Sequence, residues 1–370
     1  MQLVRQLTYM KVAIVYDRVN KIGGAERVLE SIKDLFPNSI LYTSVYDRKR
    51  APWSKKFTVR TSFLQHFPIL KTHHEIIPYL MPIAFESFRF NDFDLVISVT
   101  SEASKGIIVP PHVNHVCICL TPTRYLWSGY EGYFKNPFLR YLAKPAIWYL
   151  KKWDLLASKR PDQMIAISKT VQDRIRKYYK RDSEIIYPPS DRLFKNQNTS
   201  INISEKDYFL VVSRLVDYKR IDLAVKACTK LKLPLVVIGE GSEMERLEAI
   251  AGETVIFKGR VEDDLLISYY KNCRALIFPG IEDFGITMVE VQIAGKPVIA
   301  MNKGGASEIV IDGRTGIFFK KQNVQSLCDI LINFDDSRYN GRECQKNARR
   351  FSEEKFKKAT LSFLKNHKYI

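Results

Sequence analysis

The sequence predicts an α/β protein built as two doubly wound, Rossmann-like halves. Short β-rich apolar runs alternate with helical patterns along almost the whole chain. Most of those runs are apolar on both faces, as parallel strands covered by helices must be. The chain of 370 residues is long enough for two domains with substantial cores.

The first series of strands is KVAIVYD (11–17), SILYTSVY, DLVISV, HVCICL and QMIAIS. The second is YFLVVSRL, PLVVIGEG, VIFKGRV, ALIFPG and PVIAMN. Segments with helical spacing, such as ERVLESIKDLF and DDLLISYYKNC, lie between them. A stretch with paired prolines (Pro188, Pro189) and then many Asn and Ser residues separates the two series. The expected divisions are therefore 1–190, 191–345 and a terminal helix in 346–370 that packs back on the first domain. Ser352 is placed to cap that helix, and Phe356, Ala359 and Phe363 share one of its faces. The opening MQLVRQLTYM carries an arginine and too short an apolar stretch for a signal peptide, and reads as a short leader.

Lys and Arg number 58 against 40 Asp and Glu, a net charge of +18. That excess suits an anionic partner: a membrane surface, a nucleic acid or a phosphorylated ligand. A solvated basic surface is the plain alternative. No run approaches the ~18 apolar residues that a spanning helix needs. The six cysteines and six histidines form no zinc or disulfide pattern, and a reduced, cytosolic chain is expected. Cys117 and Cys119 share one face of a buried strand, and the adjacent His73 and His74 point apart on a helix. No Asp-x-Asp pair sits in a loop after a strand, so no metal site is expected.

EDFGITMVE (282–290) follows the strand ALIFPG and leads into an apolar helical run. Gly285 allows close backbone approach, and a helix starting there turns the N–H groups of Gly285, Ile286 and Thr287 toward a ligand anion. Glu282 in the loop and Glu290 on the helix can hold hydroxyls at two ends of one ligand, with an anionic group between them. A nucleotide sugar has that layout. The alternative is a loop acid and a solvated helix glutamate. SRLVDYKR places Arg214 and Lys219 at the same sheet end, where two cations suit a diphosphate. Gly23 and Gly24 open a helix after the first strand, as a turn alone would also require. Gly239 and Gly241 lack the third glycine of a dinucleotide fingerprint.

These motifs resemble the retaining, GT-B-fold glycosyltransferases of the group 1 family (family 4). In order they are SRLVDYKR, IGEG, FKGRVEDDLL, EDFGITMVE, AGKPVIA and GGASEIVIDGRTGIFF, over roughly residues 208–320. KVAIVYD and KIGGAERV resemble the family more loosely, and CICLTPTRYLW is similar to the subgroup of O-antigen mannosyltransferases. The resemblance implies an acceptor-binding first domain and a nucleotide-sugar-binding second domain across a cleft. It implies that Glu282 binds donor-sugar hydroxyls and steadies charge near the anomeric carbon, and that Glu290 binds the ribose. Arg214 and Lys219 would neutralise the departing diphosphate. Backbone from Phe284 through Gly285 and Ile286 to Thr287 would touch sugar and phosphate, Arg260 and Val261 would flank the base, and Gly23 and Gly24 would reach the phosphates. GDP-mannose is the implied donor, with no metal and no further cofactor. The family usually has a histidine just before the Thr-Pro of CICLTPTRYLW; here Leu120 stands there. Arg124 and Tyr125 remain acceptor-side candidates beside an ordinary loop role.

Residues 134–160 interleave cations with Tyr141, Trp148, Tyr149 and Trp153, and Asp154 is the one acid among them. That composition suits a helix on an anionic membrane, although Pro145 argues against one unbroken helix. A core-facing aromatic stripe with a basic solvated back is the alternative. The membrane reading fits a lipid-linked saccharide acceptor in surface polysaccharide synthesis and a cytoplasmic protein peripheral to the inner face of the membrane. The rival functions are a sugar-nucleotide epimerase or a phosphorylase on the same fold, a catalytically silent sugar-nucleotide sensor, and a basic nucleic-acid binder. No zinc, helix-turn-helix or RNA-binding signature supports the last.

Overall fold

The computed structural model of the protein describes residues 10–21, 23–67, 78–130, 137–195 and 201–370. The first nine residues, His73 and His74, the start of the 134–160 stretch and part of the polar linker lie outside them. Two compact units divide the chain. One runs through Pro188 and includes Phe356–Ile370; the other is Pro189–Lys355.

The first unit holds a seven-stranded parallel sheet in the order β3-β2-β1-β4-β5-β6-β7. Its strands are β1 (Val12–Tyr16), β2 (Ile40–Thr43), β3 (Thr58–Thr61), β4 (Leu95–Thr100), β5 (Asn114–Cys119), β6 (Gln163–Ala166) and β7 (Glu184–Ile185). The register sets Ile14 of β1 opposite Leu41 of β2 and Ile97 of β4. Helices α1 (Gly24–Leu35), α2 (Met81–Glu86), α3 (Pro137–Ala157) and α4 (Lys169–Tyr179) connect the strands. Ala13, Val15 and Val96 pack in one core with Tyr42, Phe85, Phe88, Phe90 and Phe93. The Tyr42 ring meets those of Phe88 and Phe90 at centroid distances of 5.2 and 5.0 Å. The apolar runs of the sequence land on β1, β2, β4, β5 and β6. Both edge strands escaped that pattern. β3 is the polar TVRT with alternating exposure, and β7 is only Glu184–Ile185.

The second unit holds a six-stranded parallel sheet in the order β10-β9-β8-β11-β12-β13. Its strands are β8 (Phe209–Val212), β9 (Leu235–Ile238), β10 (Val255–Gly259), β11 (Ala275–Phe278), β12 (Val298–Met301) and β13 (Gly316–Phe319). Between them run α5 (Ile221–Leu231), α6 (Met244–Ala249), α7 (Asp263–Asn272), α8 (Ile286–Ile293) and α9 (Ala306–Ile309), with α10 (Val324–Ile332) and α11 (Gly341–Ala348) after the last strand. Phe209, Val211, Leu235, Val237, Ile277 and Ile299 form the centre of its core. These are two doubly wound Rossmann-like sheets, the α/β architecture of the GT-B fold.

The terminal helix α12 spans Glu353–Asn366. The Ser352 hydroxyl accepts from the Lys355 N–H at 3.3 Å, closing its first turn. Phe356 and Phe363 are buried. From Phe356 onward the helix belongs to the first unit, where Lys357 pairs with Asp34 of α1 and His367 with Glu184 of β7, each at 3.1 Å.

One expectation is corrected. Pro145 does not break the helix: α3 runs from Pro137 to Ala157 with Pro145 inside it. Proline removes one backbone donor, and Pro145 sits on an exposed face where water can serve the freed carbonyl. None of the six cysteines is in a disulfide, and all are buried. Burial pushes the Cys117 thiol up to about 11 and that of Cys228 to about 12, so both are held as unreactive thiols.

Candidate active site

In the second sheet β8 and β11 are neighbours although two strands intervene in sequence. The chain winds outward from β8 on one side and returns to β11 on the other. Such a switch point leaves a crevice beyond the carboxyl ends of the two strands. A depression of about 200 Å³, its open mouth included, lies there between Val212, Ser213 and Lys219 on one side and Phe278, Pro279 and Gly280 on the other.

The loops leaving those strands carry the predicted catalytic residues. After β8 the chain makes a short turn, Asp217–Lys219, and Arg220 takes a left-handed conformation (φ 54°) with its guanidinium on Asp222. After β11 the loop carries Glu282 to the start of α8. Lys219 and Glu282 meet as an ion pair, with side chains 15% and 14% exposed. Arg214 is exposed and donates to the Tyr218 hydroxyl at 2.9 Å. The Lys219 ammonium lies 5.6 Å from the centroid of the same ring. Tyr218 thus stands between the two cations. It lies inside SRLVDYKR, where the flanking cations alone mark the motif in sequence.

The helix start behind Glu282 is shaped by close packing. Gly285 caps α8 at φ 101°, a region that L side chains rarely adopt. Its carbonyl accepts from Met288 at 3.1 Å, so the N–H groups of Ile286 and Thr287 precede the first bond of the helix. Phe284 is buried and meets the Phe351 ring edge-on at 5.4 Å. The Gly305 N–H donates to the Glu282 carbonyl at 2.9 Å. A Cβ on Gly305 would stand 2.0 Å from the Phe284 carbonyl oxygen. The glycine pair of GGASEIV therefore lets the Glu282–Phe284 backbone lie flat on the next turn. The use of that motif shows only in the packing.

Glu290 is not the solvated helix glutamate of the alternative reading. It faces inward, 1% exposed, and its carboxylate accepts from the Tyr270 hydroxyl at 2.8 Å. Tyr270, on α7, was not singled out by the sequence. Arg260 is exposed and Val261 half-buried at the end of β10, which is separated from β8 by β9. Those two residues stand outside the Lys219–Glu282 cluster.

In the first unit Gly23 and Gly24 open α1 and are exposed. The Glu26 side chain turns back on this start, taking hydrogen bonds from the Gly23 and Glu26 N–H groups and from the Tyr16 hydroxyl at 3.0 Å. Burial raises its pKa. A second internal acid sits at the switch point between β1 and β4. The Asp17 carboxylate, at the end of KVAIVYD, accepts from the N–H groups of Ser101, Glu102, Ala103 and Ser104 at 2.7, 3.0, 2.9 and 2.8 Å. Arg124 and Leu120 are half-buried in the loop after β5. Tyr125 lines a second depression of about 200 Å³ with Glu102, Thr123, Leu126, Trp153 and Asp154. Burial, reinforced by Glu102 and Asp154, pushes its phenol well above the ordinary tyrosine range. Among the described residues no group of three or more His, Cys, Asp or Glu side chains is placed to hold a metal ion.

Residues 194–351 match the model of the family "Glycosyl transferases group 1". An uncharacterized glycosyltransferase of Methanocaldococcus jannaschii is 24% identical over 90% of this chain and 91% of its own length. The O-antigen chain mannosyltransferase C of Escherichia coli is 28% identical over 40% of this chain and 43% of its own. Among solved structures, Anabaena HepE in complex with UDP-glucose superposes with a TM-score of 0.71 at 17% identity, over 96% of this chain and 99% of that one. The pair Lys219–Glu282 and the helix start at Gly285 thus lie inside residues 194–351, the region that matches the group 1 glycosyl transferase family.

Proposed function

We propose that the protein is a retaining glycosyltransferase that moves a hexose, mannose from GDP-mannose, to a saccharide acceptor carried on a membrane lipid in surface polysaccharide synthesis. The observation that carries this reading is the Lys219–Glu282 pair at the switch point of the second sheet, beside the open N–H groups of α8. The sugar choice rests on the likeness to an O-antigen chain mannosyltransferase. HepE, of the same fold, was solved with UDP-glucose, so uridine sugars are the competing donors.

In this reading the diphosphate lies against Lys219, Arg214 and the N–H groups of Ile286 and Thr287, without a metal ion. Breaking the bond between the anomeric carbon and the diphosphate oxygen leaves negative charge on the phosphate and positive charge on the ring. The cations and the helix start answer the first charge, and Glu282 steadies the second and holds sugar hydroxyls. The acceptor oxygen attacks the same face that the diphosphate leaves, and its proton passes to the departing phosphate oxygen. Retention follows, and no separate general base is needed. Glu290 takes the ribose hydroxyls in this scheme, which requires its carboxylate to exchange Tyr270 for the nucleotide. Arg260 and Val261 flank the base. Gly23 and Gly24 approach the phosphates, and Arg124 and Tyr125 serve the acceptor.

Thermal-shift measurements with GDP-, UDP- and ADP-sugars test the donor, because a ligand of the native state alone raises its melting temperature. GDP-mannose is expected to give the largest shift. A larger shift with UDP-glucose reassigns the base, and no shift with any of them removes the nucleotide-sugar reading.

A further inference from the structure

Helix α3 presents two unlike faces. Its inner face is fully engaged: Ile147, Leu150 and Ala157 are buried, and Asp154 takes Lys105 at 2.5 Å, the Thr123 hydroxyl at 2.9 Å and the Trp127 indole N–H at 2.7 Å. Its outer face exposes Phe138, Tyr141, Leu142, Trp148, Tyr149 and Leu156. Three of these aromatics are two-thirds open to solvent: Phe138 68%, Tyr141 67% and Trp148 66%. At about 100° per residue these side chains share roughly one third of the helix circumference, along about 27 Å of its length. A surface helix of a globular domain ordinarily puts polar residues there, and a contiguous apolar stripe of this size marks an interaction surface.

The charges around the stripe identify the occupant. Lys152 lies within the stripe, and Arg140, Lys144 and Lys151 follow one flank. The Lys144 ammonium is 5.2 Å from the Tyr141 centroid and that of Lys152 is 5.9 Å from the Trp148 ring. The single acid of the helix, Asp154, is on the buried side, so the outer face is wholly positive on a chain of net charge +18. Lysine is depleted at the centres of protein–protein interfaces. Aromatic and basic side chains together are the signature of the lipid headgroup region. No described helix is long and apolar enough to cross a membrane, so a helix of this kind lies on the surface.

We infer that the outer face of α3 is an interfacial anchor for an anionic lipid bilayer. Phe138, Tyr141, Trp148 and Leu156 enter the headgroup–acyl boundary, and Arg140, Lys144 and Lys152 meet lipid phosphates. The inference needs no donor or acceptor, so it stands or falls apart from the transferase reading.

The test is cosedimentation of the full chain with vesicles of phosphatidylcholine alone and of phosphatidylcholine with phosphatidylglycerol. Binding is expected only with phosphatidylglycerol, weakening as salt rises. Tyr141→Ser/Trp148→Ser and Lys144→Glu/Lys152→Glu are each expected to lower the affinity by more than about tenfold. The altered side chains are exposed, and an unchanged melting temperature shows that each variant folds. Absence of binding to anionic vesicles, equal binding to neutral ones, or full binding by the Tyr141/Trp148 variant overturns the inference. So does light scattering that shows a dimer which the same variant dissociates, since a second copy would then own the face.

Discussion

Tyr270 donates a 2.8 Å hydrogen bond to the Glu290 carboxylate, and both side chains are buried. Tyr270→Phe removes this buried hydrogen bond to a carboxylate and is expected to cost about 1–3 kcal/mol of stability, read from urea unfolding. An unchanged unfolding midpoint would show that the bond is not made in solution. Glu290→Gln separates the two roles of the carboxylate: if it takes the ribose, affinity for free GDP also falls.

Glu282 answers Lys219 in the free protein and the sugar in the proposed complex. Glu282→Gln keeps the shape and removes the charge. Turnover is expected to fall by about 10²–10³-fold, the loss typical of one transition-state electrostatic group, while GDP binds nearly as before. Turnover within a few-fold of wild type removes Glu282 from its assigned place. Lys219→Ala should instead weaken the nucleoside diphosphate more than the monophosphate, measured by calorimetry.

Gly305 supports Glu282 without touching it by side chain. A methyl group there would stand 2.0 Å from the Phe284 carbonyl, and backbone must move to admit it. Gly305→Ala is expected to shift the 282–284 loop and cost about 10²-fold in turnover, the scale of a misplaced catalytic group. Wild-type kinetics from a folded Gly305→Ala protein would contradict the packing described.

The buried pair Lys105–Asp154 fixes the loop that carries Arg124 and Tyr125, through Thr123 and Trp127. Asp154→Asn leaves the ammonium buried without its counter-charge and is expected to cost about 3–5 kcal/mol. The double change Lys105→Met/Asp154→Leu should recover part of that loss, because it removes both charges together. Chemical denaturation of the two variants measures the difference.

His115 gives the fold a pH dependence of known sign. Burial, with Arg181 and Arg160 nearby, pushes its imidazole down to about 3. Its ring nitrogen bonds the Ser98 hydroxyl at 2.8 Å. The unfolded chain binds a proton near pH 6.5 that the native state refuses, so this contribution is complete above about 6.5 and is lost as pH falls toward 3. The slope from this one group is at most about 1.4 kcal/mol per pH unit. Denaturation midpoints of wild type and His115→Gln from pH 7 to pH 4.5 should converge on acidification, and parallel curves would exclude His115 as the source.

The two series of strands were legible in the chain's apolar runs, because strands buried on both faces must be apolar throughout and must stop where helices begin. The sequence also pointed to SRLVDYKR and EDFGITMVE, since loops after parallel strands gather at one sheet end whatever the rest of the chain does. β3 and β7 left no such mark: an edge strand has one solvated side, and two residues make no pattern. Tertiary structure alone decided which residues became partners. Lys219 met Glu282 because β8 and β11 are adjacent, and Glu290 turned to Tyr270 because α8 packs beside α7. The same holds for α3, whose sequence allowed its aromatics to face inward or outward. Asp154 and its partners claimed the inner face and left Trp148 and Tyr141 in solvent. Periodicity records that a face is apolar; only the neighbours that fold against a helix decide which face is covered.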